Sequence, residues 1–168
     1  MKLPMLGLAV AGGTFALDQL VKYVVTGPLQ LDLLAGTPLD LLPIFRLRFV
    51  PNPGISLGFL RADSETARWL LVAMTAAIAA GVLSWMWREG RRWDQAALGL
   101  VLGGALGNIL DRVRLGYVID YADLHFGEWS PFLVFNLADA AISAGVIALL
   151  ARAFLVRERP GSRVETNQ

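Results

Sequence analysis

No cysteine occurs in the 168-residue chain. That excludes disulfides, thiolate metal sites and cysteine nucleophiles, and leaves the compartment open. Histidine occurs once, at His125, so no histidine metal cluster and no Ser-His-Asp pattern can be read. Charge is scarce as well. Only 17% of residues are charged, against about 25% in ordinary soluble domains. The formal net charge is +1, and no basic stripe with interleaved aromatics is present, so nothing favours a nucleic-acid partner. Repeats, low-complexity tracts and the marks of a second domain are also missing.

What is abundant is apolar. Hydrophobic residues make up 55% of the chain, and the mean hydropathy is +0.54. Four apolar spans stand out, at about 3–25, 69–87, 94–110 and 131–154. A bilayer core needs about 20 helical residues, so the third span, AALGLVLGGALGNIL, is short. Its Gly99, Gly103, Gly104 and Gly107 suit close packing between helices. Trp69, Trp85, Trp87, Trp93 and Trp129 fall near span ends, as interfacial anchors do. Lys2 before an apolar core gives the first span the outline of a secretory signal. Its length, and Asp18 and Lys22 within it, favour a retained helix.

Loop charge sets the orientation. With the N-terminus cytoplasmic, the inner segments 1–2, 88–95 and 152–168 carry eight basic residues against four acids. The outer segments 26–68 and 111–130 carry six arginines against eight acids. REGRRW, between spans two and three, is the clearest basic flank, so both termini are expected inside. In the long outer segment, FRLRFV alternates like a short strand, PNPG reads as a turn and ISLGF as a return strand. Leu29–Leu42 is apolar enough to lie on the membrane surface. Asp63 or Ser64 suits an N-cap for span two. Arg46 and Arg48 read as a solvated strand face or head-group contacts, and Asp123 and Glu128 as loop carboxylates.

Polar groups within apolar spans are costly and usually face a partner or a cavity. Asp18 and Lys22 are four residues apart and share a helix face; Asn136 and Asp139 are three apart and do the same. Asn108, Asp111 and Arg112 form a third cluster, in which Arg112 is a natural partner for Asp111. All three clusters fall on the outer halves of their spans, where a shared pocket can form. Asp139, placed eight residues into span four with no basic neighbour in sequence, needs a partner in space. Two carboxylates brought together share a proton, so one can deprotonate a water while the other hydrogen-bonds a carbonyl under attack. Asp139 suits one half of such a pair. Asp120, Asp111 and Asp123 all remain open as the other. A small proton-coupled transporter and a non-enzymatic membrane subunit stay as alternatives, although no inverted repeat is visible.

Four segments, DQLVK (18–22), NPGISLGF (52–59), GNILDRVRLGYVIDY (107–121) and FNLADAAI (135–142), together resemble lipoprotein signal peptidase, the signal peptidase II family of bacterial membrane aspartic proteases. The resemblance covers essentially the whole chain. It implies an all-α integral membrane protein with four transmembrane helices and a small extracytoplasmic β-cradle at about 40–62, forming one peptidase domain over 1–168. It implies removal of the signal peptide from diacylglyceryl-modified prolipoproteins, cut immediately before the lipidated cysteine. Carried over by residue, the catalytic pair is Asp120 and Asp139. The supporting set is Asp18, Lys22, Asn52, Gly54, Asn108, Asp111, Arg112 and Asn136. The family implies membrane lipids and globomycin-type inhibitors as further ligands. No cofactor or metal is expected, and the enzyme should be a monomer in the bacterial cytoplasmic membrane, its active site near the outer leaflet. Leu57 stands where the family usually has an aromatic residue, and Tyr121 where Phe is common.

Overall fold

The computed structural model describes residues 3–34, 36–54, 65–127 and 129–155. The expected return strand ISLGF, with Leu57, lies outside them, as do the capping positions Asp63 and Ser64, and Glu128.

Four helices dominate: α1 (Met5–Thr26), α2 (Glu65–Arg88), α3 (Arg92–Leu115) and α4 (Leu137–Leu155). Each is long and apolar enough to cross a membrane. Their boundaries differ from the apolar runs wherever polar residues continue a helix. α3 runs past Leu110 through Asp111, Arg112 and Arg114, so the span that reads as short is 24 residues long. α4 starts only at Leu137; residues 131–136 precede it, and Phe135 pairs with Ala122 as an isolated bridge. Asp139 therefore sits in the first turn of α4, not eight residues into a span.

α3 is the central helix, packed against α1, α2 and α4. Its membrane-spanning stretch is 61% buried, against 28%, 17% and 11% for α1, α2 and α4, which explains its small residues. Ala11, Ala79, Met86, Leu98 and Leu102 form the core joining α1, α2 and α3. At Gly107 an added Cβ would overlap the Asp18 carboxylate of α1. The helices can meet there only because that side chain is missing.

The sheet has three strands in the order β1-β2-β3: β1 (Leu39–Leu42), β2 (Phe45–Asn52) and β3 (Val118–Leu124). FRLRFV is a strand, as its alternation indicates. Its hairpin partner is β1, which precedes it, and its other neighbour is β3. The VIDYADL stretch, read as loop, is thus a strand carrying Asp120 and Asp123. It is buried along most of its length, and a strand covered on both faces does not alternate. Val25, Leu31, Leu47, Ile119 and Tyr121 pack this sheet onto the end of α1. Asp120 is thereby carried to the polar end of the bundle.

Candidate active site

The first turn of α4 is satisfied by three residues, Tyr121, Asp18 and Asn136. The Tyr121 hydroxyl of β3 accepts the Leu137 N–H at 3.2 Å, and Asp18 Oδ1 of α1 accepts the Ala138 N–H at 3.0 Å. Asn136 Oδ1 accepts the Asp139 N–H at 2.9 Å, and the Asn136 carbonyl accepts the Ala140 N–H at 3.2 Å. The first three of these, with the Asn136 N–H, are the four donors that a helix start leaves without internal partners, and the Ala140 bond is the first of the helix itself. Asp139 Oδ2 in return accepts the Asn136 N–H at 3.3 Å, a reciprocal cap. The cap fixes the Asp139 carboxylate beside the positive end of the α4 dipole.

Asp120 reaches the same place from β3. Its Oδ1 accepts the Asn136 amide at 2.6 Å, and its Oδ2 accepts the Asn52 amide at 2.9 Å. Asp139 Oδ1 accepts the Asn108 amide at 2.8 Å. Asn136 thus bonds both carboxylates, one through its side chain and one through its backbone. Asn52 is held in turn by the Gly54 N–H, which donates to its Oδ1 at 2.9 Å. Gly54 has φ +106°, and a Cβ there would strike Leu71, so the turn that aims Asn52 at Asp120 requires glycine. Burial pushes the Asp120 carboxyl up to about 6 from 3.8; the Asn52 hydrogen bond opposes this, and the charge of Asp139 adds to it.

Beneath the two acids lies a buried charge cluster. Lys22 Nζ pairs with Asp18 at 2.9 Å and with Asp111 at 2.6 Å, and donates to Asn108 Oδ1 at 3.2 Å. The Asp18–Lys22 pair follows from their spacing. The partner of Asp111 is Lys22, however, and no Asp111–Arg112 ion pair exists among the described residues. Asp111 also accepts the Ile119 N–H, which ties the start of β3 to α3. Arg112 instead makes a long 3.5 Å bond to the Asn108 carbonyl. Its charge acts on Asp139, Asp120 and Asp111, and its Nε is buried without a hydrogen-bond partner among the described residues.

Three participants escape a reading by sequence. Gln19 donates to Asp18, Asp111 and the Gly107 carbonyl. Tyr121 caps α4 through its hydroxyl, and Arg68 of α2 donates to the Arg112 and Val113 carbonyls at 2.7 and 2.6 Å. Spacing is a signal only for partners on one element, and each of these acts across elements. Asp123 and the two arginines also differ from expectation. Asp123 is 1% exposed, and pairs with Arg46 at 2.8 Å and Arg48 at 3.5 Å. It is a strand carboxylate and not a loop one, and Arg46 is not simply solvated. Asp123 makes no contact with the Asn136–Asp139 cap among the described bonds.

A cavity of about 460 Å³ opens beside Asp120, lined also by Asn52, Arg48, Phe132 and Leu133. That volume is within the range of small-molecule and peptide subsites. No group of three or more metal-ligating side chains occurs among the described residues. Of the two carboxyls joined through Asn136, Asp120 lines this cavity; such a pair can share a proton and act on a water between them.

Residues 10–155 match the family model described as signal peptidase II. The lipoprotein signal peptidase of Rhizorhabdus wittichii is 55% identical over 153 residues, covering 91% of this chain and 88% of that protein. The one of Sphingopyxis alaskensis is 50% identical, with 92% and 88% covered. A solved structure described as a bacterial membrane enzyme shares the fold with TM-score 0.74, at 24% identity over 91% of this chain and 94% of that one. The chain belongs to the signal peptidase II family and is a membrane protease.

Proposed function

We propose that the chain removes signal peptides from prolipoproteins whose lipobox cysteine carries a diacylglyceryl group, cutting immediately before that cysteine with Asp120 and Asp139 as the catalytic pair. The observation that carries this reading is the double attachment of Asn136, to Asp120 at 2.6 Å and to Asp139 at 3.3 Å, beside an open cavity. Asp120 takes the acid role, with a carboxyl that burial pushes up to about 6. Asp139 takes a proton from the attacking water while Asp120 donates to the scissile carbonyl oxygen. Collapse of the tetrahedral intermediate breaks the C–N bond. The amine leaves with the proton that Asp139 took, one hydroxyl of the intermediate returns its proton to Asp120, and the new carboxyl end stays on the signal peptide.

Asn52, Asn108 and Asn136 orient the pair without adding charge. Asp18, Lys22 and Asp111 lock α1, α3 and α4 at the right depth. Arg112 positions the substrate backbone, and the turn at Gly54 brings the main chain close to it. The substrate's acyl chains lie between helices and gain about 0.8 kcal/mol per buried CH₂. The whole chain acts as one monomeric domain in the bacterial cytoplasmic membrane. Both termini face the cytoplasm and the acids lie near the outer leaflet. Gathering of the polar groups at one end of the bundle, instead of along a path through it, favours a protease over a transporter.

The test presents purified enzyme with a diacylglyceryl-modified prolipoprotein and with its unlipidated form, each with and without chelator. Cleavage of the lipidated substrate alone, unchanged by chelator and blocked by a globomycin-type peptide, is the expected result. Equal cleavage of both forms, or loss of activity on chelation, contradicts it.

A further inference from the structure

β2 and β3 do not pair evenly. Leu47 opposes Ala122 and Val50 opposes Asp120, so three steps on β2 match two on β3. The extra residue is a bulge at Arg48–Phe49, a device that re-aims a side chain beside an active site. Arg46, before the bulge, keeps a 2.8 Å bond to Asp123. Arg48, within it, keeps only a 3.5 Å contact with the same oxygen and turns into the cavity that contains Asp120. Its Nε is buried with no hydrogen-bond partner among the described residues. Two arginines thus share one Asp123 oxygen, and Arg48, with the longer contact, keeps its Nε free at the cavity wall. The same cavity is lined by exposed apolar side chains, with Phe132 60% and Leu133 91% exposed.

The position of Arg48 along the strand indicates what it meets. Asn52 and Val118 lie at the end of the sheet that joins the helices, and Asp120 comes next. Arg48 stands beyond Asp120, further along the sheet from that end. On the proteolytic reading above, on which this inference rests, the substrate chain that has passed the dyad and left the membrane is the segment following the lipidated cysteine. We propose that Arg48 is a specificity-determining residue that binds an acidic side chain within the first few residues after that cysteine. A guanidinium with free donors pairs best with a planar carboxylate, in a charge-assisted bond.

The test uses two diacylglyceryl-modified prolipoproteins that differ only by Glu or Gln in the second position after the cysteine. Both are presented to wild-type enzyme and to Arg48→Gln at low and high salt. The expected result is a KM about tenfold lower for the Glu substrate with wild-type enzyme, which is what one bond to a charged group is worth. Salt should weaken the preference, and Arg48→Gln should bring the ratio close to one. Equal KM values with wild-type enzyme overturn the proposal, whether or not the variant folds. A Glu preference that survives Arg48→Gln overturns it too. If wild-type enzyme cleaves neither substrate, the proteolytic reading itself has failed, a result distinct from cleavage without preference.

Discussion

Asp120 accepts hydrogen bonds from two amides, yet burial outweighs them and pushes its carboxyl up to about 6. A folded value above the ordinary 3.8 means that the native state binds the extra proton between those two pH values. Stability contributed at this residue is therefore intact at low pH, falls as pH rises from about 4 to about 6, and stays low above. The whole effect is at most about 3 kcal/mol. Asp120→Asn abolishes the dependence, so the variant should gain in melting temperature relative to the wild type across that interval. In the proposed mechanism the protonated form donates to the carbonyl, so kcat/KM should decline as pH rises through about 6. A rate that climbs steadily from pH 5 to pH 8 would refute this assignment of the proton. At this scale the sequence shows the acids and little of their partners. Asp18 and Lys22 are legible because one helix spaces them. The bonds of Gln19 to Asp111 and of Asn136 to Asp120 cross between elements, where no local pattern reports them.

Elements were legible in proportion to their exposure to lipid. α1, α2 and α4 bury little of their length inside the protein and stand out as apolar runs. α3, enclosed by the other three, carries glycine and polar residues, and its extension to Leu115 cannot be read from hydropathy. β3 is hidden for a related reason: with both faces covered, VIDYADL shows no alternation. The C-terminal end of α3 also depends on another element, since Arg68 of α2 donates to its last carbonyls. A cation there complements the helix dipole. Removing it by Arg68→Met should cost about 1–3 kcal/mol, measured as a lower melting temperature in detergent. It should also reduce kcat, because Arg112 rides on the same turn. Unchanged melting and turnover would show that α3 holds its end without α2.

For the whole molecule, the decisive arrangement is a four-helix bundle with a sheet docked on one end, so that α1, α3, α4 and β3 each send polar groups to one depth. Side chains facing away from this point are apolar and open: Trp69, Ile78, Trp85, Ile147 and Phe154 are all exposed in the isolated chain, as lipid-facing residues should be. The natural absence of cysteine allows topology to be tested with single thiols at exposed sites. Asp40→Cys on β1 should react with an impermeant maleimide in cells whose outer face is accessible. Gly90→Cys, between α2 and α3, should react only after lysis. The reverse pattern would invert the orientation and put the carboxyl pair on the wrong face for exported lipoproteins.

The most direct measurement replaces Asp111, Asp120, Asp123 and Asp139 one at a time by Asn and compares turnover of lipidated prolipoprotein with melting temperature. Asp120→Asn and Asp139→Asn should remain folded and lose all detectable turnover. Asp111→Asn and Asp123→Asn, which touch Lys22 and Arg46 in place of the Asn136 bridge, should melt earlier and retain measurable cleavage. Full activity in a folded Asp120→Asn or Asp139→Asn enzyme would contradict the two-carboxyl mechanism.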